Sequence, residues 1–311
     1  MKNPVPITAA SLRMIDPNQF AKAYTDIRYA AESPQQALDV FLPEADGVWP
    51  VVVFVHGGGW FAGSRRNQHI SFVFKILSQG YAVATVDYRL APDYTFPAAI
   101  QDVKAAIRYL RAHAAELQID TSRLVIWGNS AGAHLSALAA APHVIPELED
   151  LSMGNGQESS RVDGLIAWYG VYDFAALQRQ AGRVGEVEGR MLGAWRGKAE
   201  LASPIHYVSE DFPPVLLQHG TADEVVSYKQ SEIFFEEIQR TCGPDRAVLE
   251  HFEGAGHGDA RIKDDANILR CVRFLDSIYY PDSPCPYARK AIPEIQFLET
   301  DVDCGDHFEL A

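Results

Sequence analysis

A serine lies at the centre of the pentapeptide GNSAG at positions 128–132. The apolar run 124–127 precedes it and the small-residue stretch 131–141 follows it, which predicts a strand, a sharp turn and a helix. On such a turn the hydroxyl of Ser130 would project from the edge of a sheet, and the two glycines would let strand and helix backbones pass close together. Ser130 is therefore a candidate nucleophile. A glycine-rich loop capped by serine is the structural alternative.

A serine hydroxyl needs a base to become nucleophilic, and that base needs an orienting acid. Of the ten histidines in the chain, His257 lies in GAGHG, between the last predicted strand and the last predicted helix. We predict it to be the base. His219 and His251 lie in or at the end of strands and are interpreted as packed histidines, and His134 lies one helical turn beyond Ser130.

Asp223 is the predicted acid because it ends the motif HGTAD, just past the apolar run 215–218. Its neighbour Glu224 is the alternative. Where a nucleophilic serine lies on a strand-to-helix turn, the acid and then the base follow it along the chain. Ser130, Asp223 and His257 have this order. Three residues in suitable loops and in this order are a stronger signal than any one motif.

The motif HGGGW at 56–60, directly after a predicted strand, is a second candidate for a catalytic role. Successive glycines allow backbone N–H groups to face a cavity, where they can stabilise the oxyanion of a tetrahedral intermediate. We predict that this glycine run supplies such donors, with the N–H of Ala131 as an additional contributor. A phosphate-binding loop is the alternative, but neither phosphate-loop signature is present. His56, which precedes the glycines, is interpreted as an anchor of the loop.

The elements that must position these residues are short apolar runs alternating with helical patterns. Such runs are typical of strands buried on both faces of a parallel sheet, and they occupy 51–55, 81–86, 124–127, 165–169, 215–218 and 247–252. The helical patterns span 98–117, 228–240 and 264–279. This alternation predicts right-handed crossovers and one doubly wound, mostly parallel α/β sheet. An antiparallel hairpin at its edge is predicted for 27–29 and 37–42.

Two internal segments interrupt the alternation. The first, 142–162, is polar and glycine-rich, and the second, 171–208, is a long mixed insertion. Insertions at the carboxyl ends of strands overhang the ligand crevice of an α/β sheet, so we predict that 171–208 forms a small cap. We predict one domain over 1–280 and a C-terminal extension over 281–311.

Composition restricts the function classes. The chain has 311 residues, of which 47% are hydrophobic, and a net charge of −14. This charge argues against nucleic acid or an anionic membrane surface as the partner. Neither a secretory signal nor a run of about 18 apolar residues is evident, so we expect a cytoplasmic protein. The sequence leaves open whether it forms a homodimer.

No metal or cofactor is predicted. The four cysteines, at 242, 271, 285 and 304, include no C-x-x-C pair and are interpreted as reduced thiols, with a bridge between Cys285 and Cys304 left open. The tail contains a group of metal-binding residue types, namely Asp301, Asp303, Asp306 and His307. Their spacing matches no known ligand pattern, so a solvated tail is the preferred interpretation.

Six motifs together resemble the α/β-hydrolase esterases related to hormone-sensitive lipase, and especially the branch that includes bacterial acetyl-xylan and feruloyl esterases. The motifs are HGGGW at 56–60, DYRLAP at 87–92, FPAA at 96–99, GNSAG at 128–132, HGTAD at 219–223 and GAGH at 254–257. The resemblance runs from about Tyr29 to Tyr280. The chain departs from many relatives in its long segment 142–161 and in its tail.

The resemblance implies the α/β-hydrolase fold and a Ser130–His257–Asp223 triad. It also implies an oxyanion hole formed by the N–H groups of Gly58, Gly59 and Ala131, in which Trp60 could replace one glycine. It implies that 87–89 is structural, tying loops beneath the site. Three aromatic residues could line the substrate pocket, with core packing as the alternative for each: Trp60, Tyr172 and Trp195.

The predicted function is hydrolysis of short-chain acyl esters through an acyl-enzyme. The expected partner is a small-molecule or carbohydrate ester, such as an acetyl or feruloyl ester. An aryl formamidase or a small peptidase on the same fold is an alternative, although peptidases of this fold usually carry a large extra domain. A non-catalytic small-molecule receptor is the alternative from a different class, and the presence of His257 argues against it.

Overall fold

The computed structural model describes residues 13–180 and 189–298, apart from the side chains of 178–180, 195 and 196. Within these residues, eight strands form one sheet: β1 (Lys22–Arg28), β2 (Ala37–Leu42), β3 (Trp49–Val55), β4 (Ala82–Val86), β5 (Ile119–Asn129), β6 (Gly164–Trp168), β7 (Val215–Gly220) and β8 (Ala247–Phe252). Their order is β1-β2-β4-β3-β5-β6-β7-β8. The strands β3 to β8 run parallel, and β1 and β2 are antiparallel at one edge. The predicted hairpin and mostly parallel sheet are confirmed.

Helices cover both faces of this sheet. The α-helices are α1 (Ala98–Ala112), α2 (Ala131–Ala139), α3 (Phe174–Gln180), α4 (Lys229–Cys242) and α5 (Asp265–Tyr279). One apolar core lies beneath α1, α2 and α4. The other lies beneath α5 and a 3-10 helix, Gln68–Gln79, which connects β3 to β4. This arrangement is the α/β-hydrolase fold that the sequence predicts.

Burial follows the position of each strand in the sheet. Every residue of β3, β4, β6 and β7 is buried, as expected for strands covered on both faces. The last strand, β8, lies at the edge, where Val248 and His251 are exposed. The interpretation of His251 as a packed histidine is therefore wrong, because an edge strand has one open side.

The loop 142–162 is held against α1 by a buried ion-pair cluster. Nζ of Lys104 lies 3.0 Å from Oε2 of Glu149, and the guanidinium of Arg108 donates to Oε1 of the same carboxylate. All three side chains are nearly fully buried. A loop that is polar in composition is thus attached to the domain through charges that compensate one another.

The described part of the insertion 171–208 packs at the carboxyl side of the sheet. It contains α3 and two 3-10 helices, Gly193–Ala202 and Pro204–Tyr207. The backbone N–H of Phe96 donates to the carbonyl of Met191 across 2.9 Å. Residues 181–188 lie outside the described residues, so the predicted small cap is described only in part.

The start of the predicted C-terminal extension returns along the domain. The ring of Tyr287 packs against Trp49 with centroids 4.3 Å apart, and the N–H of Lys290 donates to the carbonyl of Ser78 across 2.9 Å. Near its described end, Phe297 forms an isolated bridge with Ile15. Of the helices described, none combines the length and the apolar composition needed to cross a membrane.

Candidate active site

Ser130 lies on a strained turn between β5 and α2. Its φ of 53° and ψ of −122° are unusual for a residue with a side chain. A Cβ on Gly128 would lie 2.3 Å from the carbonyl oxygen of Gly132, and one on Gly132 would lie 2.1 Å from that of Val55. Any larger residue at either position would collide with backbone, so the two glycines allow the turn on which the serine hydroxyl is presented.

The three residues predicted to cooperate form a continuous hydrogen-bonded chain. Nε2 of His257 lies 3.0 Å from Oγ of Ser130, and Nδ1 lies 2.7 Å from Oδ2 of Asp223. His257 follows β8 and Asp223 follows β7, so parallel strands bring both to the sheet edge where Ser130 begins α2. With Nδ1–H donating to the carboxylate, Nε2 is free to accept the serine proton.

Asp223 is held as a carboxylate by four donors. Oδ1 accepts from the N–H groups of Val225 and Val226 at 2.8 and 2.9 Å, while Oδ2 faces His257 and, at 3.2 Å, Nε2 of His219. Burial alone would raise the pKa of the Asp223 carboxyl, but the hydrogen bonds from the two histidines outweigh it and lower the pKa well below its ordinary value. The carboxylate therefore stays charged beside His257.

Glu224, the alternative acid, and His219, the other histidine near Asp223, do not take the place of Asp223 or His257. Glu224 is exposed, and no hydrogen bond joins it to His257 among the described residues. His219 is fully buried: Nδ1 accepts from the hydroxyl of Ser231 at 2.7 Å, and Nε2–H also points to the carbonyl of Val226 at 2.9 Å. The interpretation of His219 as a packed histidine is confirmed, and its contact with Asp223 adds a support that the sequence did not reveal.

The glycine loop after β3 passes directly beside the nucleophile. A Cβ on Gly57 would lie 3.2 Å from Cβ of Ser130. Gly58 has a φ of +126°, and a Cβ there would lie 2.0 Å from the carbonyl oxygen of Ala62, so only glycine fits. None of the hydrogen bonds among the described residues uses the N–H groups of Gly58, Gly59 or Ala131. Three donors are thus available near Ser130.

Asn129 joins this loop to the nucleophile turn. Its Oδ1 accepts from the N–H of Gly57 at 3.0 Å, and its amide nitrogen lies 3.5 Å from the hydroxyl of Tyr169. Tyr169 has a φ of 41°, and its ring meets that of His257 edge-on, with centroids 4.7 Å apart. Neither Asn129 nor Tyr169 was predicted as part of the site, although Asn129 lies next to Ser130 in the chain.

Trp60 is anchored by His134 and does not face an open pocket. Its indole N–H donates to Nδ1 of His134 at 3.0 Å, and Nε2–H of His134 donates to the carbonyl of Ala202 at 2.7 Å. Trp60 is 5% exposed and His134 is fully buried. Burial lowers the pKa of His134 to about 4, against a smaller opposing effect of the bond to Ala202. The neutral imidazole connects the glycine loop, α2 and the insertion.

Tyr172 and Trp195 are the other two aromatic residues predicted to line the substrate pocket. Tyr172 is fully buried, and its ring stacks on Phe234 with centroids 4.4 Å apart. Tyr172 therefore belongs to the apolar core and is not part of the chain formed by Ser130, His257 and Asp223. Trp195 lies on the 3-10 helix Gly193–Ala202, and its side chain is outside the described part of the chain.

The loop beneath the site is anchored as predicted. His56 is buried, stacks on Tyr88 with ring centroids 4.4 Å apart, and bonds through Nδ1 to the carbonyl of Gly57 at 2.7 Å. The hydroxyl of Tyr88 donates to the carbonyl of His56 at 2.9 Å. Asp87 accepts from the N–H and the guanidinium of Arg65. The roles of His56 as an anchor and of 87–89 as a structural segment are confirmed.

Across residues 13–180 and 189–298, no group of three or more His, Cys, Asp or Glu side chains is placed to hold a metal ion. The acidic group at 301–307 and Cys304 lie outside the described residues, and Cys242, Cys271 and Cys285 are free thiols. The described site brings together a hydroxyl, an imidazole and a carboxylate, and this arrangement can transfer a proton from the hydroxyl to the imidazole.

Comparison with known proteins gives this geometry a family context. The model of the BD-FAE family matches residues 38–238, well over half of the chain. Esterase LipC of Mycobacterium tuberculosis is 33% identical over 237 residues, which are 73% of this chain and 58% of LipC. The chain spans little more than half the length of the mycobacterial esterases LipC, LipM and LipQ.

Solved structures agree in fold. A truncated carbohydrate esterase from gut microbiota superposes with a TM-score of 0.74 at 28% identity, covering 85% of this chain and 99% of that one. A butyrate-bound esterase, Est2 of Thermogutta terrifontis, superposes with a TM-score of 0.69 at 26% identity, covering 86% and 96%.

Proposed function

The chain belongs to the BD-FAE family, and on this premise we propose that it is a serine carboxylesterase in which Ser130, His257 and Asp223 form the catalytic triad. The resemblance to carbohydrate esterases related to hormone-sensitive lipase, predicted from the motifs, is confirmed by the family and its neighbours. The observation that carries the catalytic proposal is the chain of two hydrogen bonds that joins Ser130 to Asp223 through His257.

Acylation begins when Oγ of Ser130 attacks the ester carbonyl. Nε2 of His257, 3.0 Å from Oγ, takes the hydroxyl proton as the new C–O bond forms. The carboxylate of Asp223 holds the ring through Nδ1–H and stabilises the imidazolium. As the tetrahedral intermediate collapses, the bond to the alcohol breaks and Nε2–H gives that alcohol its proton, which leaves an acyl group on Ser130.

The negative charge on the former carbonyl oxygen needs preorganised donors. The N–H groups of Gly58, Gly59 and Ala131 have no acceptor among the described residues, and the contact of Gly57 with Ser130 places their loop beside the attacking atom. One such donor contributes about 3 kcal/mol of transition-state stabilisation. Trp60 adds no indole donor here, because its N–H is already bound to His134.

Deacylation repeats these steps with water. Nε2 of His257 takes a proton from the water, whose oxygen attacks the acyl carbonyl, and returns a proton to Oγ of Ser130 as the carboxylic acid leaves. The balance is one ester and one water consumed, and one acid and one alcohol formed. No cofactor enters this sequence.

Short acyl groups are the proposed substrates. Among the related proteins, Est2 was solved with butyrate, and the gut-microbial neighbour is named a carbohydrate esterase. A small-molecule or carbohydrate-borne acetyl ester, or a feruloyl ester, is the proposed partner.

A panel of 4-nitrophenyl esters from acetate to octanoate, with acetylated xylan and methyl ferulate, tests this function. We expect kcat/KM to be highest for acetate to butyrate and to fall with longer chains, and Ser130→Ala to remove activity on every ester. A kcat/KM that rises through octanoate would contradict the short-chain proposal. A folded wild-type protein that hydrolyses no ester in the panel would contradict the esterase proposal.

A further inference from the structure

A pocket beside the His257 loop is lined by basic side chains. Its volume is about 280 Å³, and its lining includes Arg13, His69, Lys75 and Lys263, with Phe72 and Phe297 as apolar walls. Among the described residues, no aspartate or glutamate lines it. The whole chain has a net charge of −14, so this concentration of positive groups is opposite to the average character of the protein.

Lys263 contributes a partly buried ammonium group to the lining of this pocket. Its side chain is partly buried, and burial lowers the pKa of its ammonium group. Within the described part of the chain, Nζ of Lys263 has no ion-pair or hydrogen-bond partner. Lys75 differs, because it donates to Oδ1 of Asp265 at 2.6 Å. A partly buried cation without an acceptor is costly, and an anion in the pocket would supply one.

The pocket adjoins the residues of the catalytic site. A Cβ on Gly258, the residue after His257, would lie 3.6 Å from Nζ of Lys263 and 3.8 Å from the hydroxyl of Tyr169. The Tyr169 ring in turn contacts the ring of His257. Lys263 therefore lies against the same short loop that carries the proposed base.

We propose that this pocket receives an anionic group carried by the alcohol portion of the ester substrate. The inference rests on the proposed function, in which His257 delivers the proton to the departing alcohol. That portion of the substrate must lie next to the His257 loop, where Lys263 offers its ammonium group. The ligand class is an ester whose alcohol carries a carboxylate or a similar anion.

The test compares matched pairs of acetyl esters. The alcohols are 4-hydroxybenzoate, 4-hydroxyphenylacetate and 3-(4-hydroxyphenyl)propionate, which extend the carboxylate by increasing lengths, each paired with its neutral primary amide. For every pair we take the ratio of kcat/KM for the anionic ester to that for the neutral one. Comparing this ratio between variants cancels the intrinsic reactivity of the esters.

We expect Lys263→Gln to lower the ratio about three- to fivefold for at least one length, the range of a partly exposed ion pair. Lys263→Glu should lower it further because it repels the carboxylate. The matched control is Lys229→Gln: Lys229 is exposed on α4, pairs with Glu232 and does not line the pocket, so its ratio should equal that of the wild type. Ratios within about twofold of the wild type in both Lys263 variants, at all three lengths, would overturn the inference.

A free anion is the other source of the same chemistry. If inorganic sulfate raises the Tm of the wild type but not of Lys263→Gln while the ratios stay equal, the pocket binds a free anion and the substrate role is overturned. If the folded wild type hydrolyses none of the neutral esters, that result contradicts the proposed esterase function, and the role of the pocket needs its own test. Calorimetry with the product 4-hydroxybenzoate then decides the inference, because equal affinity in the wild type and Lys263→Gln would overturn it.

Discussion

The indole N–H of Trp60 donates to Nδ1 of His134 across 3.0 Å, and this bond joins the glycine loop to the helix that begins after Ser130. The imidazole can accept there only while it is neutral, because its Nε2–H is already directed at the carbonyl of Ala202. A second proton on His134 would remove the acceptor. The position of the loop that carries the proposed oxyanion donors therefore depends on a buried, uncharged histidine.

Acid should weaken this connection in a measurable way. The folded pKa of His134 is about 4, against an ordinary value of 6.5. The unfolded chain therefore binds more protons between these values, and the free energy of unfolding falls as the pH falls. Between pH 7 and pH 5 this one group should cost about 2 kcal/mol.

The variant His134→Gln isolates this effect, because an amide can keep both hydrogen bonds and does not titrate. We expect its free energy of unfolding, measured by urea denaturation, to fall less than that of the wild type between pH 7 and pH 5. Equal pH dependence in the two proteins would show that His134 does not titrate as described. His56, whose pKa burial also lowers, is present in both proteins and does not affect the difference.

Removing the charge of Asp223 should slow the chemistry more than it weakens binding. Asp223→Asn can no longer accept from Nδ1–H of His257 with full charge and favours the wrong tautomer, so we expect kcat to fall about 10³- to 10⁴-fold with little change in KM. Steady-state kinetics on 4-nitrophenyl acetate measures both constants. The matched control is Asp245→Asn, at an exposed position away from the site, and it should match the wild type. A decrease in kcat of less than about tenfold for Asp223→Asn would contradict the assignment of Asp223 as the acid of the triad.

The glycine loop gives a prediction about geometry. A Cβ at position 58 would lie 2.0 Å from the carbonyl oxygen of Ala62, at a φ of +126°, so Gly58→Ala must displace the loop. We expect kcat to fall about 10²- to 10³-fold, the effect of one lost oxyanion donor. Gly197→Ala is the control, because no atom lies within 4 Å of its added Cβ and its φ is ordinary. If kcat of Gly58→Ala on the acetyl ester matched that of Gly197→Ala, the loop would have no role in catalysis.

The parts of the site that could be predicted from the sequence are those fixed by local rules. Ser130 lies between a strand and a helix, with glycines two positions before and after it, and this pattern is visible in the letters alone. Asp223 and His257 follow β7 and β8, the last two strands, and parallel strands end at the same edge of a sheet. Chain order and strand topology were therefore enough to bring these three residues together.

The supporting contacts could not be predicted because they depend on how distant segments pack. His134 and Trp60 are 74 positions apart, and nothing in either local pattern indicates that one ring binds the other. Tyr172 follows a strand as Tyr169 does, yet it stacks in the core on Phe234 while Tyr169 contacts His257. Side-chain direction after a strand is decided by tertiary packing.

The 3-10 helix Gln68–Gln79 was not predicted, although its sequence carries a helical signal. Ile70, Val73, Phe74 and Leu77 are buried and recur at the i, i+3, i+4, i+7 spacing of an amphipathic helix. The basic pocket at the start of this segment could not be predicted, because Arg13 and Lys263 come to line one pocket only in the folded chain.

Covalent labelling of the nucleophile tests the central claim most directly. A fluorophosphonate should modify the wild-type protein once, and peptide mass spectrometry should place the adduct on Ser130. Ser130→Ala should take no label, and His257→Gln should react far more slowly because Oγ has lost the base that lies 3.0 Å away. A folded wild-type protein that takes no label, or that is labelled on another serine, would contradict the account.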